Sequence, residues 1–180
     1  MARTRPAPKA LVFYGFTAPR QETALFQEVE TRLTARHGEV LTRLQPFSFS
    51  DLTSYYETEM GPDLLKTFIL FKEPISLEDT ASLKTHSNGL EGDYKKQDHP
   101  SNRRINIDPG VLTLYNFCLL TAKGFSHRVY LRDGIYAEVT LRASEGRFRP
   151  LEWTYRDYKT PEALEFLEEG RRHLKARTDP

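Results

Sequence analysis

The sequence predicts an α+β fold: a ferredoxin-like β-α-β-β-α-β unit, extended by antiparallel strands and closed by a C-terminal helix. Three observations carry that expectation. Apolar residues recur at helical spacing over 21–37 and again after Thr160; the second half is dense in short runs of β-branched and aromatic residues; and Gly, Pro and Asp punctuate those runs.

Residues 10–16 read as a buried strand, and 21–37 as an amphipathic helix whose Leu25, Phe26, Val29 and Leu33 share one face before Gly38 stops it. A second strand over 40–47 leads to Ser50-Asp51, a cap for a short helix bearing Tyr55, Tyr56, Glu59 and Met60 and ended by Gly61-Pro62. Residues 67–71 are nearly all apolar, as a central strand requires, and Ser76-Leu77-Glu78-Asp79 resembles a capping box that opens a weak helix. The polar stretch 86–102, with Gly89, Gly92 and Pro100, is expected to be loop or irregular helix. Strands follow over 103–108, 115–121, 126–132, 135–142 and 148–153, with Pro109-Gly110 turning the chain after the first. Thr160-Pro161 caps a last helix that turns Leu164, Leu167 and Leu174 inward and sets Glu168 and Arg172 as an i,i+4 pair.

A chain of 180 residues closes one sizeable core, so a basic, disordered leader over 1–9 and a single domain over 10–180 are expected. Hydrophobic content of 38%, 28% charged residues and a formal net charge of +1 exclude the highly charged disordered class and predict no polyanion partner from bulk charge. The one cysteine, Cys118, lies in an apolar run and has no internal partner, which fits a reducing, cytoplasmic setting. No apolar run approaches the roughly 20 residues that span a bilayer, so no membrane association is expected.

The hairpin around Asp133-Gly134 decides which side chains meet. A two-residue turn in regular register pairs Leu131 with Tyr136 and Val129 with Glu138, mixing apolar and charged residues on one face. A three-residue loop, with Gly134 left-handed, pairs Leu131 with Ile135, Val129 with Ala137 and His127 with Val139, leaving Arg128 opposite Glu138 and Tyr130 opposite Tyr136 on the other face. The second register separates the faces cleanly and is the expected one. It sends His127 to the core side, away from Glu138, and makes it the weaker candidate ligand for a metal.

By the same alternation Arg104, Asn106 and Asp108 point away from the core, so Arg104, Asp108, Arg128, Tyr130, Tyr136 and Glu138 are expected on one polar sheet surface. A solvated face with exposed ion pairs worth about 0–1 kcal/mol each is the ordinary alternative. Local charge favours a ligand: Lys95, Lys96, Arg103, Arg104, Lys123, Arg128 and Arg132 outnumber Asp98 and Asp108 there, which suits an anion. In that scheme Arg104 and Arg128 hold the anion. Asp108 and Glu138 bind a divalent metal or act as an acid–base pair, and Tyr136 or Tyr155 positions the ligand. Tyr55 and Glu59 on the short helix, and Tyr155 and Asp157 in the run from Trp153 to Tyr158, are candidate pocket walls. No phosphate loop, dinucleotide fingerprint, paired-cysteine zinc pattern, H-E-x-x-H or G-x-S-x-G is present.

These residues also carry a resemblance. Tyr55-Tyr56-x-x-Glu59-Met60-Gly61, Asn106-Ile107-Asp108-Pro109-Gly110, Ser126 to Leu131, Gly134 to Leu141 and Trp153-Thr154-Tyr155-x-Asp157-Tyr158 together resemble the DUF4416 family across nearly the whole chain. This is an uncharacterised prokaryotic family whose members are sometimes labelled GTP-binding proteins. The sequence departs from the family pattern at Arg156 and Lys159, where Pro and Arg are expected. The resemblance implies no established activity. Three readings follow: a binding or processing domain for a phosphorylated, nucleotide-like small molecule; a single-stranded RNA-binding module using exposed Tyr130 and Tyr136; and a protein-interaction domain without catalysis.

Overall fold

The chain's longest apolar runs are buried on both sides, and they form the centre of a sheet with helices on both faces. The computed structural model describes Arg3, residues 6–95 and residues 103–178. Its strands are β1 (Lys9–Pro19), β2 (Val40–Ser48), β3 (Leu64–Phe71), β4 (Ile75–Ser76), β5 (Asn106–Leu112), β6 (Asn116–Thr121), β7 (Arg128–Arg132), β8 (Ile135–Ser144) and β9 (Arg147–Pro150). Its helices are α1 (Ala24–His37), the single turn α2 (Glu57–Met60), α3 (Ala81–Asp93) and α4 (Pro161–Thr178). The strands make one nine-stranded sheet in the order β2-β3-β1-β5-β6-β8-β7, with β4 on β1 and β9 on β8, and every pairing is antiparallel.

β1 is buried at every residue after Lys9, because both faces of the sheet are covered there. Ala10, Val12, Tyr14, Phe16 and Ala18 face α1 and α3 and pack with Leu25, Phe26, Val29, Leu33, Leu83 and Leu90. Leu11 and Phe13 face the other way, with Phe68, Phe117, Leu141 and the α4 residues Phe166, Leu167 and Leu174. Each such side chain contributes about 1.5–3 kcal/mol by burial. α4 lies close on this second face: a Cβ on Gly170 would stand 2.5 Å from the Leu70 side chain. Thr160 caps the helix, its hydroxyl accepting from the Ala163 amide at 3.2 Å.

On that second face the apolar packing stops beyond Phe13 and Phe68. The next residues across the strands are Gly15 and Thr17 of β1, Lys66 of β3, and Asn106 and Asp108 of β5, in register with one another. Farther along the sheet, Glu138 and Tyr136 of β8 pair with Arg128 and Tyr130 of β7. This polar half of one sheet face is the floor of the candidate site.

Several expectations need correction. Pro109-Gly110 does not turn the chain but lies inside β5, paired with Tyr14 and Phe13. Pairing of β5 with β6 begins only at Gly110, so Pro109 lacks an amide where β6 offers no partner, and the absence of a side chain at Gly110 admits the Cys118 carbonyl, 2.8 Å from where a Cβ would be. The helix after Ser76 continues through the supposed loop to Asp93, while residues 96–102 fall outside the described part. Glu168 does not pair with Arg172; it accepts from the Phe148 amide and meets Arg171, while Arg172 reaches Glu165. Residues 1, 2, 4 and 5 of the supposed leader lie outside the described residues, and its last residue, Lys9, already belongs to β1.

Candidate functional site

The polar face has two centres. The first lies over β3, β1 and β5. Lys66 is 3% exposed because it sits in a run that is otherwise buried strand, and its ammonium stands 2.7 Å from Asp157 Oδ2 and 3.8 Å from Asp108 Oδ2. The ring of Phe49 lies 4.8 Å from the same ammonium and that of Tyr158 5.3 Å. Lys84 comes in from α3, donates to the Ile107 carbonyl at 3.0 Å, and lies 3.8 Å from Glu91 and 3.9 Å from Asp108. Arg103 closes the end of the sheet by donating to both oxygens of Glu59, to Glu91 and to Asn106, which in turn donates to Asp108 at 2.7 Å. Burial opposes the Arg103 charge, yet Glu59 and Glu91 hold its pKa above the usual value. The charge of Asp108, then burial, raises Tyr56; burial, then Asp157 and Asp108, raise Tyr158. Every cation here meets carboxylates and every carboxylate meets cations, the arrangement that makes buried charge tolerable.

The second centre lies over β6, β8 and β7 and is less complete. Glu138 is 1% exposed, and its Oε2 accepts from Arg128 Nε at 2.9 Å and meets His127 Nε2 at 3.0 Å. Its Oε1 has no partner. Arg128 also donates to the Lys123 carbonyl at 2.9 Å and to the Tyr155 hydroxyl at 2.8 Å. Lys123 reaches the Tyr55 hydroxyl at 3.1 Å. The His127 ring stacks on Trp153, with centroids 5.1 Å apart, and meets the edge of Phe125 at 5.2 Å; Trp153 is pinned by its indole N–H on the Val139 carbonyl. Tyr55, Phe125 and Tyr155 remain largely exposed around this corner. Tyr155 joins the two centres, since burial, then the charges of Glu138 and Asp108, raise its pKa.

Thr17 Oγ1, Asp157 Oδ2, Tyr158 Oη and Glu138 Oε1 are buried and without a hydrogen bond, and all four belong to this one face. Asp157 Oδ2 touches the Lys66 ammonium at ion-pair distance without hydrogen-bond alignment, so its charge is compensated although its bond is not made. Glu138 Oε1 has no hydrogen bond, and Arg128 and His127 meet the other oxygen of that carboxylate.

Of the residues singled out from sequence, Arg128, Tyr136, Glu138, Tyr155 and Tyr55 gather at the second centre, and Asp108, Asp157 and Glu59 at the first. Arg104 joins neither: it bonds to Glu22 in the turn before α1. Its neighbour Arg103 occupies the site, because the chain bends at Arg104 before β5 begins and strand alternation does not reach back that far. His127 is also corrected. It precedes β7 in a turn, so its side chain swings to Glu138 rather than to the core. The hairpin keeps Arg128 opposite Glu138 and Tyr130 opposite Tyr136, but Arg132 rather than Leu131 faces Ile135. Asp133 and Gly134 form a two-residue turn with φ of 53° and 75°, and a bulge between Tyr130 and Arg132 absorbs the extra residue. Val129 and Leu131 are exposed on β7, the edge strand of the sheet.

Asp108 and Glu138 lie on strands separated by β6, each against its own cations. Among the described residues no three His, Cys, Asp or Glu side chains converge to hold a metal. Sequence reasoning missed Lys66, Lys84 and Glu91. A lysine inside the apolar run 64–71 was a usable signal, since a buried ammonium requires carboxylate partners. Burial pushes the Cys118 thiol up to about 11, in keeping with an inert side chain. No helix among the described residues is long and apolar enough to cross a membrane.

A family model described as a domain of unknown function, DUF4416, matches residues 8–173. No curated protein and no solved structure matches the chain.

Proposed function

The chain belongs to the DUF4416 family, and we propose that it binds a small phosphorylated, nucleotide-like molecule at the half-open corner around Glu138. The observation that carries this reading is the unpartnered Oε1 of a carboxylate that is 1% exposed. Leaving a buried acceptor unpaired costs about 1–3 kcal/mol, and more when it is charged. A hydroxyl, amine or ring N–H of a ligand relieves that cost. Arg128 spends three of its five donors on Glu138, Lys123 and Tyr155, and Lys123 spends one of three on Tyr55. The remaining donors suit a phosphate, and the exposed rings of Tyr55, Phe125 and Tyr155 suit a flat base. Asp108, with Lys66, Lys84 and Asn106 around it, serves the first centre rather than the ligand.

The test is a thermal-shift screen of 5′-nucleotides and sugar phosphates, with and without Mg2+. A ligand at a hundred times its Kd stabilises by about 2.7 kcal/mol, and the gain should disappear in Glu138→Ala and Arg128→Ala. If none of these compounds raises the melting temperature, the reading fails. A second reading, single-stranded RNA binding, draws on Tyr130, which is 57% exposed and packs edge-on against Tyr136 beside Arg132. A steeply salt-dependent affinity for unstructured oligonucleotides, lost in Tyr130→Ala, would favour it over the first.

A further inference from the structure

His127 differs from the other described histidines in what holds it. His37 shares its Nε2 with the Tyr14 hydroxyl at 3.0 Å beneath α1, and His173 bonds the Lys72 carbonyl at 3.1 Å. His86 leaves a buried Nδ1 without a partner. Only His127 among them meets a carboxylate. Its ring is fixed from several sides: Glu138 on Nε2, Trp153 stacked at 16° to its plane, and the Phe125 edge at 65°. A carboxylate on Nε2 requires that nitrogen to carry the hydrogen, and in the neutral ring that leaves the lone pair on Nδ1. Nδ1 has no hydrogen-bond partner among the described residues and is not among the buried unpartnered atoms, and the His127 side chain keeps 17% of its surface exposed. An imidazole oriented by a carboxylate, with its basic nitrogen outward, is the arrangement that general-base chemistry uses.

We infer that His127 is a proton-transfer group: its Nδ1 takes the proton of a hydroxyl or water held beside the phosphate of a ligand bound at Arg128 and Lys123, with Glu138 as its positioning residue. The chain is on this account an enzyme acting on a phosphorylated alcohol or on a water aligned with it. The inference rests on the ligand reading of the same corner. In the step, the O–H bond breaks and the Nδ1–H bond forms. The electron pair goes to the oxygen, which bonds phosphorus as the phosphoester P–O bond breaks and its pair leaves with the departing oxygen, and the imidazolium charge is offset by Glu138 across Nε2. Arg128, 2.9 Å from the shared carboxylate oxygen, and Lys123 beyond it keep the phosphate next to the new oxyanion. The unpartnered Glu138 Oε1 supplies the second, independent pointer, because it asks for a ligand donor a carboxyl's width from the His127 contact.

The experiment is acylation of the full chain by diethyl pyrocarbonate, which attacks an accessible unprotonated imidazole nitrogen, read residue by residue by mass spectrometry. The 15N imidazole spectrum is recorded in parallel. The expected result is acylation of His127 about tenfold or more faster than of His37, a free-energy difference of about 1.4 kcal/mol in the barrier. A single Nε2–H tautomer is expected, and Glu138→Gln should abolish it. His127→Gln should remove the fast acylation and keep a cooperative melt. Acylation no faster than at His37, or an Nδ1–H tautomer, overturns the assignment. Inorganic phosphate, added as the probe, separates the two claims: protection of His127 supports both. Undiminished acylation under saturating phosphate overturns the ligand reading and with it the substrate role, while a slow His127 in phosphate-free protein overturns the proton-transfer role alone.

Discussion

Over β3, β1 and β5, Lys66 has two carboxylates and three aromatic rings around it, and Lys84 and Arg103 complete a network in which each charge has opposite charges at hand. Over β6, β8 and β7, Glu138 is as deeply buried, yet one of its oxygens has no donor and the surrounding rings stand open. The two ends share a sheet face and differ in completeness. At the first end every charge is compensated, although the Thr17 and Tyr158 hydroxyls are unpaired; this network ties the 49–60 segment, α3 and the 151–158 segment to the sheet, and taking away one member exposes the others' desolvation cost. On the proposed function, an unfinished one is where a ligand supplies the missing donor. Buried charge alone therefore does not single out a site in this fold; the proposed function rests on a buried carboxylate oxygen without a donor beside an accessible wall.

Substitution at the closed end should give the largest loss of stability. Lys66→Ala strands Asp157, and urea unfolding should show a loss of about 3–5 kcal/mol, whereas Lys66→Met combined with Asp157→Leu should recover most of it. If Lys66→Ala instead leaves stability intact and abolishes ligand response, the assignment of the two ends is reversed. At the open end, Glu138→Gln should cost about 1–3 kcal/mol in the same measurement, through donors left on His127 and Arg128, and should remove nucleotide stabilisation.

One acid-sensitive group lies at neither end. Burial, with the positive charge of Arg36 and His86 adding to it, pushes the His37 imidazole down to about 4, on the helix-covered face. The unfolded chain takes up this proton near the ordinary 6.5 and the folded one only near 4, so the contribution of neutral His37 is present above pH 6.5 and lost as pH falls through that window. His37→Gln should flatten the stability curve there, and an unchanged curve would place the sensitivity among the carboxylates. The smallest effect on folding belongs to Lys123→Ala, within about 0.5 kcal/mol. Its ligand affinity should nonetheless fall about tenfold by calorimetric titration, or 1.4 kcal/mol.

Where the sequence was legible, a local rule applied without interference. Alternation along β7 and β8 predicted that Arg128 meets Glu138 and Tyr130 meets Tyr136, and the turn chemistry of Asp133-Gly134 limited the register to two choices, between which a bulge mediates. The rule failed where strand geometry ended. His127 and Arg104 each sit just before a strand, and there the turn at Ser126 and the bend at Arg104 set the direction of the side chain. Lys66, Lys84 and Glu91 were missed for another reason: they come from β3 and α3, and only the sheet order that sets β1 between β3 and β5 brings them to Asp108. Pro109-Gly110 read as a turn because the close approach of β6 that Gly110 permits is a tertiary fact.

Amide spectra recorded while the full chain is titrated with the nucleotide or sugar phosphate that stabilises it best test the contrast between the two ends most directly. The shifts should gather at 123–128, 136–139 and 153–155 and leave Lys66 and Lys84 unmoved. Shifts centred on Lys66 and Asp108, or none at saturating ligand, would contradict the account.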